Sequence, residues 1–355
     1  MKIIKKLLVG IVLLIAFAAA GIYLYLNSLK PDYSSNLSLE GLNSPVEVIY
    51  DDFAIPHIYA ENESDLFQAF GYVHAQDRLF QMEILRRLAS GTLAEIFGEA
   101  AVSTDKFFRT LNFKAHANIA LENRNSQSPE SKGMAAYLKG VNAYLNNGKT
   151  PIEFTLAGIP KRDFTMQDVE MIMGYMGYTF EAAFQTEAIV TYIKNEFGEA
   201  YLPDVVKGWP DQKDQISVDP VNQKKAAKSL AAMADHVRAL SSALPFKPFH
   251  GSNGWVISGS KTKSGKPILS NDTHIAFSQP SVWYEAHLES PTFKIYGSFI
   301  AGGPFPALGH NEHAGWGITM FENDEADFYQ EKLNPENPNQ VWYMDHWEDI
   351  HISEE

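Results

Sequence analysis

Cysteine is absent from all 355 residues. That excludes a disulfide framework, a thiol nucleophile, and any zinc or iron–sulfur centre held by cysteine. Basic charge is scarce: 29 Lys+Arg stand against 43 Asp+Glu, a net charge of −14. The charged residues of the first thirty, Lys2, Lys5, Lys6 and Lys30, are all basic, so the remainder is more acidic still. Binding a phosphate backbone needs a basic face, and no nucleic acid partner is expected. Internal repeats and low-complexity tracts are also missing. With 45% hydrophobic and 20% charged residues, the composition is that of a globular chain of about two domains.

Residues 7–26 form an uncharged apolar run preceded by three lysines, about the length needed to cross a bilayer's hydrocarbon core. Ala18-Ala19-Ala20 offers a small-residue cleavage site, but a cleaved signal peptide has a shorter apolar region. Because the run continues through Gly21 to Leu26, an uncleaved anchor is the favoured reading, with a signal peptide as its alternative. The lysines stay in the cytoplasm by the positive-inside rule. Everything after about residue 30 is then exported, to the periplasmic or extracellular face of the inner membrane.

Val46-Glu47-Val48-Ile49-Tyr50 alternates as a strand does and ends at an Asp51-Asp52 turn. A helix follows, opened by the polar residues 62–65 and stopped by Gly91, with Leu66, Phe70, Val73, Phe80 and Leu88 on one buried face. Thr165-Met166-Gln167-Asp168 is a capping box that opens a second helix, whose Met171, Met173 and Met176 read as core filler. The stretch 209–251 is polar and structurally weak, with an amphipathic helix over 226–244. Strands resume at Ser252, separated by turns at Ser258-Gly259-Ser260 and Ser264-Gly265-Lys266.

His250-Gly251-Ser252-Asn253-Gly254-Trp255 carries the chemistry. If the bond before Ser252 is cut, that residue holds a hydroxyl nucleophile and a free α-amine with a pKa of roughly 7.7–8.0. Such an amine is largely available as a general base near neutral pH. Gly251 suits the cut bond because it adds no side chain where the backbone is strained and closely approached.

The surrounding residues resemble the penicillin acylase family of N-terminal nucleophile hydrolases. The likeness runs through Ser252-Asn253-Gly254-Trp255-Val256-Ile257-Ser258-Gly259, Ser264-Gly265-Lys266-Pro267, Ser270-Asn271-Asp272-Thr273-His274, Pro280-Ser281-Val282-Trp283-Tyr284-Glu285-Ala286-His287-Leu288, Gly309-His310-Asn311 and Gly315-Trp316-Gly317. Upstream it includes Ile55-Pro56-His57-Ile58, the stretch from Gly71-Tyr72-Val73-His74 to Glu83, and Leu85-Arg86-Arg87. It spans nearly everything from about residue 45 onward.

The resemblance implies an α+β fold, an αββα four-layer sandwich with a helical α-chain region and the C-terminal part of the fold missing. It divides the chain into an anchor (1–30), an α-chain-like region (31–208), an excised spacer (209–251) and the start of a β-chain-like catalytic region (252–355). It implies hydrolysis of a small-molecule N-acyl amide through an acyl-enzyme, after self-cleavage at Gly251-Ser252 into α and β chains that stay associated. Ser252 is the nucleophile and His274 hydrogen-bonds near it. The backbone N–H of Met320 is an oxyanion donor. A second oxyanion donor, an Asn side chain, falls beyond Glu355. An inactive truncated product or a calcium-binding scaffold is therefore the alternative reading.

Asn323-Asp324-Glu325-Ala326-Asp327 offers hard oxygen ligands suited to calcium. The resemblance assigns a structural Ca2+ to Asp324, the Ala326 carbonyl and Asp327, with Glu187 from the α-chain-like region. No organic cofactor is implied. His310-Asn311-Glu312-His313 lacks the spacing that sets two imidazoles on one helix face for zinc. Phe277, Trp283, Tyr284 and Phe305 are candidates for an apolar acyl pocket.

Overall fold

The computed structural model describes residues 2–180, 183–205, 231–235, 237–239, 251–320, 328–329 and 331–352. They fall into two compact units. One comprises residues 1–176, 253–272 and 277–318, the other residues 177–252, 273–276 and 319–355.

In the first unit, helix α1 (Lys2–Ser28) is long and apolar enough to cross a membrane, and none of its residues is buried. Strands β1 (Glu47–Tyr50) and β2 (Pro56–Tyr59) pair antiparallel around the Asp51-Asp52 turn. Helix α2 (Glu63–Ser90) starts and stops where local chemistry dictates. Asn62 Oδ1 accepts from the Asp65 N–H, and Gly91 takes the left-handed conformation, at φ 63°, that ends it.

The expected single buried stripe on α2 is too narrow. Leu66, Phe70, Val73 and Leu88 are buried, but so are residues around most of the circumference, and Leu79 is buried where Phe80 is only partly covered. The cause is packing on more than one side, against α6 (Pro129–Asn147) and against the sheet. Gly71 and Gly140 permit the α2–α6 crossing, since a Cβ on either would run into the backbone carbonyl of Tyr137 or Gln68. Between these helices lie α3 (Ala94–Phe97), α4 (Val102–Leu111) and α5 (Phe113–Glu122).

After α7 (Ile152–Leu156), the capping box forms as expected: Asp168 Oδ2 accepts from the Thr165 N–H at 2.8 Å, and Thr165 Oγ1 accepts from the Asp168 N–H at 3.2 Å. It opens α8 (Met166–Thr179). Met171 and Met176 join the core, but Met173 is 44% exposed and does not fill it.

A hairpin of β3 (Gly251–Ile257) and β4 (Ile268–His274) makes a two-stranded sheet. Strands β5 (Trp283–Ser290), β6 (Phe293–Ile300), β7 (Leu308–His310) and β8 (Gly315–Trp316) join β1 and β2 in a six-stranded sheet ordered β1-β2-β5-β6-β7-β8. β2 runs parallel to β5, and the remaining pairs are antiparallel. One face carries Tyr284, Ala286, Leu288 and Phe299 onto α2, where Phe70 meets Phe299 at 4.6 Å between ring centroids. The architecture is α+β: a helix layer packs on a mixed six-stranded sheet, and the β3–β4 hairpin forms a separate two-stranded sheet.

The second unit includes α9 (Ala183–Glu196), α10 (Leu202–Val205) and a hairpin of β9 (Gln340–Tyr343) and β10 (His346–Asp349). Of the helix expected over 226–244, residues 231–235 and 237–239 are described and helical, with Ala234 and Val237 buried. The rest of the stretch expected to be a spacer lies outside the described residues, except Gly251.

Candidate active site

Ser252 is the second residue of β3 and is half-buried. Its Oγ accepts a hydrogen bond from the backbone N–H of Met320 at 3.0 Å. Gly251 sits at φ 146°, a backbone conformation that disfavours any residue with a Cβ. The position where a Gly251 side chain would begin lies 3.7 Å from Nδ1 of His274. The structure thus gathers the three residues expected from the sequence, Ser252, His274 and Met320, around one peptide bond.

Asn271 supports this arrangement and is absent from the residues predicted to act there. Its Nδ2 donates to the carbonyls of Asn253 and Ile318, both at 3.0 Å, and its Oδ1 accepts from the Ile318 N–H at 2.9 Å. One side chain therefore fixes the residue after Ser252 and the segment two residues before Met320. Gly317 is what lets it approach, because a Cβ there would lie 2.5 Å from Asn271 Oδ1. An amide among the polar residues 270–273, able to donate and accept at once, was the available signal.

The metal-site expectation is split. Glu187 lies on α9 and is half-buried, whereas Asp324, Ala326 and Asp327 lie outside the described residues. The acyl-pocket aromatics are not gathered as expected. Tyr284 is 5% exposed and stacks on His74 at 4.4 Å, Phe305 packs on Phe67, and Phe277 is fully exposed. The reason lies in strand alternation: Tyr284 points to the face of β5 that packs on α2.

Motif residues of α2 have structural roles. Glu83, fully buried, pairs with Arg86 and Arg87, and Arg87 also reaches Glu95. Arg86 approaches Asp168 and lies 4.0 Å from the Phe164 ring centroid. Asp77 accepts from the hydroxyls of Tyr33 at 2.6 Å and Tyr284 at 2.7 Å. Burial pushes the Asp77 carboxyl above its ordinary pKa, against those two hydrogen bonds.

The family model described as penicillin amidase matches residues 45–355. The chain belongs to that family. Among relatives in it, an acyl-homoserine lactone acylase of Pseudomonas aeruginosa is 31% identical, over 90% of this chain and 38% of that protein. A penicillin acylase 2 proenzyme from a Pseudomonas species is also 31% identical, over 87% and 40%. The penicillin G acylase of Escherichia coli is 27% identical, over 87% and 42%. The chain thus spans about two fifths of the length of these relatives. A solved thermostable penicillin G acylase from Alcaligenes faecalis matches 49% of this chain and 97% of that one, at 26% identity and a TM-score of 0.40.

Proposed function

We propose that this chain is the nucleophile-bearing portion of an exported hydrolase of linear amides that cuts itself between Gly251 and Ser252. The observation that carries the reading is the Met320 N–H on Ser252 Oγ, at 3.0 Å, beside a glycine at φ 146°. In the first step Ser252 Oγ attacks the Gly251 carbonyl carbon, the C–N bond breaks, and an ester to Oγ forms while the α-amine of Ser252 is released. Water then cleaves the ester, leaving a Gly251 carboxylate and a free Ser252 hydroxyl. His274 stands beside this bond and can hydrogen-bond the groups that change.

In the mature chain the Ser252 amine serves as base for its own hydroxyl. The hydroxyl attacks an N-acyl amide, the amine product leaves, and water releases the acid from the acyl-enzyme. The oxyanion develops two bonds from Oγ, on the oxygen of the attacked carbonyl, and a Met320 N–H that turns from Oγ to that oxygen would be worth about 2.7–4 kcal/mol. The relatives named as acylases support a small N-acyl amide as substrate class. α1 would hold the enzyme on the outer face of the inner membrane. A calcium ion on Glu187, Asp324, Asp327 and the Ala326 carbonyl suits a donor set made only of oxygens, and would tie the pieces on either side of the cut.

A serine-directed sulfonyl fluoride tests the activated hydroxyl. The expected result is one label, on Ser252, in cleaved chains only. Equal labelling of uncleaved chains, or a label elsewhere that Ser252→Ala leaves in place, would contradict the reading.

A further inference from the structure

Three family-like motifs, Ile55-Pro56-His57-Ile58, Glu285-Ala286-His287-Leu288 and Gly309-His310-Asn311, are left without a role by the hydrolytic site. The sheet register brings them together. Reading across β1, β2, β5, β6 and β7, one row is Ile49, His57, His287, Tyr296, His310. His57 and His287 alternate with the buried Ile58 and Leu288, so they stand on the face turned away from α2. Their side chains are 28% and 12% exposed.

The two imidazoles face each other through Nδ1, 3.3 Å apart. Each outer nitrogen points to a carboxylate: His57 Nε2 lies 3.6 Å from Asp51 Oδ2, and His287 Nε2 lies 3.4 Å from Glu289 Oε2. A carboxylate favours the proton on the nitrogen that faces it; with both Nε2 atoms protonated the two Nδ1 lone pairs point at one another, whereas with one Nδ1 protonated the pair is a hydrogen bond. A cation between the lone pairs removes their repulsion. Two nitrogens bound to one tetrahedral ion at about 2.0–2.1 Å are separated by about 3.3–3.4 Å. A ligating histidine whose other N–H goes to a carboxylate is the usual arrangement at metal sites.

We propose that His57 and His287 form a site for a late first-row divalent ion, zinc, copper or nickel, completed by water. Imidazole donors select these ions, and calcium takes oxygen ligands instead. His310 is not a ligand: its ring stacks on Tyr296, with centroids 5.8 Å apart. Lys294, 3.2 Å from Glu289, balances the carboxylate behind His287.

The test is equilibrium dialysis of the purified full chain in detergent against zinc. One ion is expected per chain, with affinity reduced at least tenfold in His57→Gln and in His287→Gln and unchanged in His310→Gln. Asp51→Asn, on an exposed turn, should weaken binding by about tenfold or more. Zinc uptake by the His57→Gln/His287→Gln double variant equal to that of wild type would overturn the proposal, leaving a proton shared between the rings. Should the histidine variants misfold by circular dichroism, copper(II) electron paramagnetic resonance on wild type decides. Splitting from two nitrogens is expected, and a spectrum with none overturns the site.

Discussion

At the scale of single residues, Asn271 links the strand of Ser252 to the segment leading to Met320 by three hydrogen bonds. Truncating it leaves two carbonyls and an N–H without their partner. Asn271→Ala should therefore lower stability by about 1–3 kcal/mol in chemical denaturation. The role was hard to see in the sequence, because an Asn in a polar stretch has many ordinary uses. The role proposed for Ser252 could be argued from the sequence alone, since a nucleophile and its own base would reside on one residue and need no distant partner to be inferred. Met320 came from a likeness in the Trp316-Gly317 region. Its distance to Ser252 depends on two segments 68 residues apart meeting, which no local pattern contains.

At the scale of elements, α2 shows what is local and what is not. Its ends were readable because Asn62, Asp65 and Gly91 act within a turn of the chain. Its burial was not, because it depends on α6 and β5, which the pattern of α2 does not know. Asp65 does more than cap: its carboxylate accepts from Asn62 Nδ2 at 2.7 Å, from both nitrogens of Asn43 and from the Ser44 N–H, clasping the segment before β1. Burial alone would raise the Asp65 carboxyl, and the hydrogen bonds from Asn43, Asn62 and Ser44 outweigh it and hold the pKa below its ordinary value. A group lowered in this way stabilises the fold fully above its unfolded pKa, about 3.9 for Asp. That contribution is lost as pH falls through the folded value. Asp65→Asn should melt lower than wild type at pH 7. The gap should close as pH is lowered below about 4, as followed by melting temperature against pH.

At the scale of the molecule, the two sides of the proposed cut share one sheet. β1 and β2 come from before residue 251, β5 to β8 from after it, and β2 pairs with β5 from His57↔His287 to Tyr59↔Glu289. The phenyl of Phe70, on α2, packs on Phe299 of β6 across the same divide. Within the first unit, strands and helices from residues 47–90 and from residues 283–316 thus share one sheet and one core, and cutting the bond between Gly251 and Ser252 removes none of these contacts. The sequence had marked the segments by composition and likeness. How these strands come to share a sheet is a matter of pairing over more than two hundred residues, and periodicity does not reach so far. The most direct test of the account is intact mass and N-terminal sequencing of the purified chain, wild type beside Ser252→Ala, before and after native gel filtration. The account predicts two wild-type pieces that travel together, one of them beginning at Ser252, and a single uncut chain in the variant. Wild type left uncut between Gly251 and Ser252, or a cut that persists in Ser252→Ala, would contradict it.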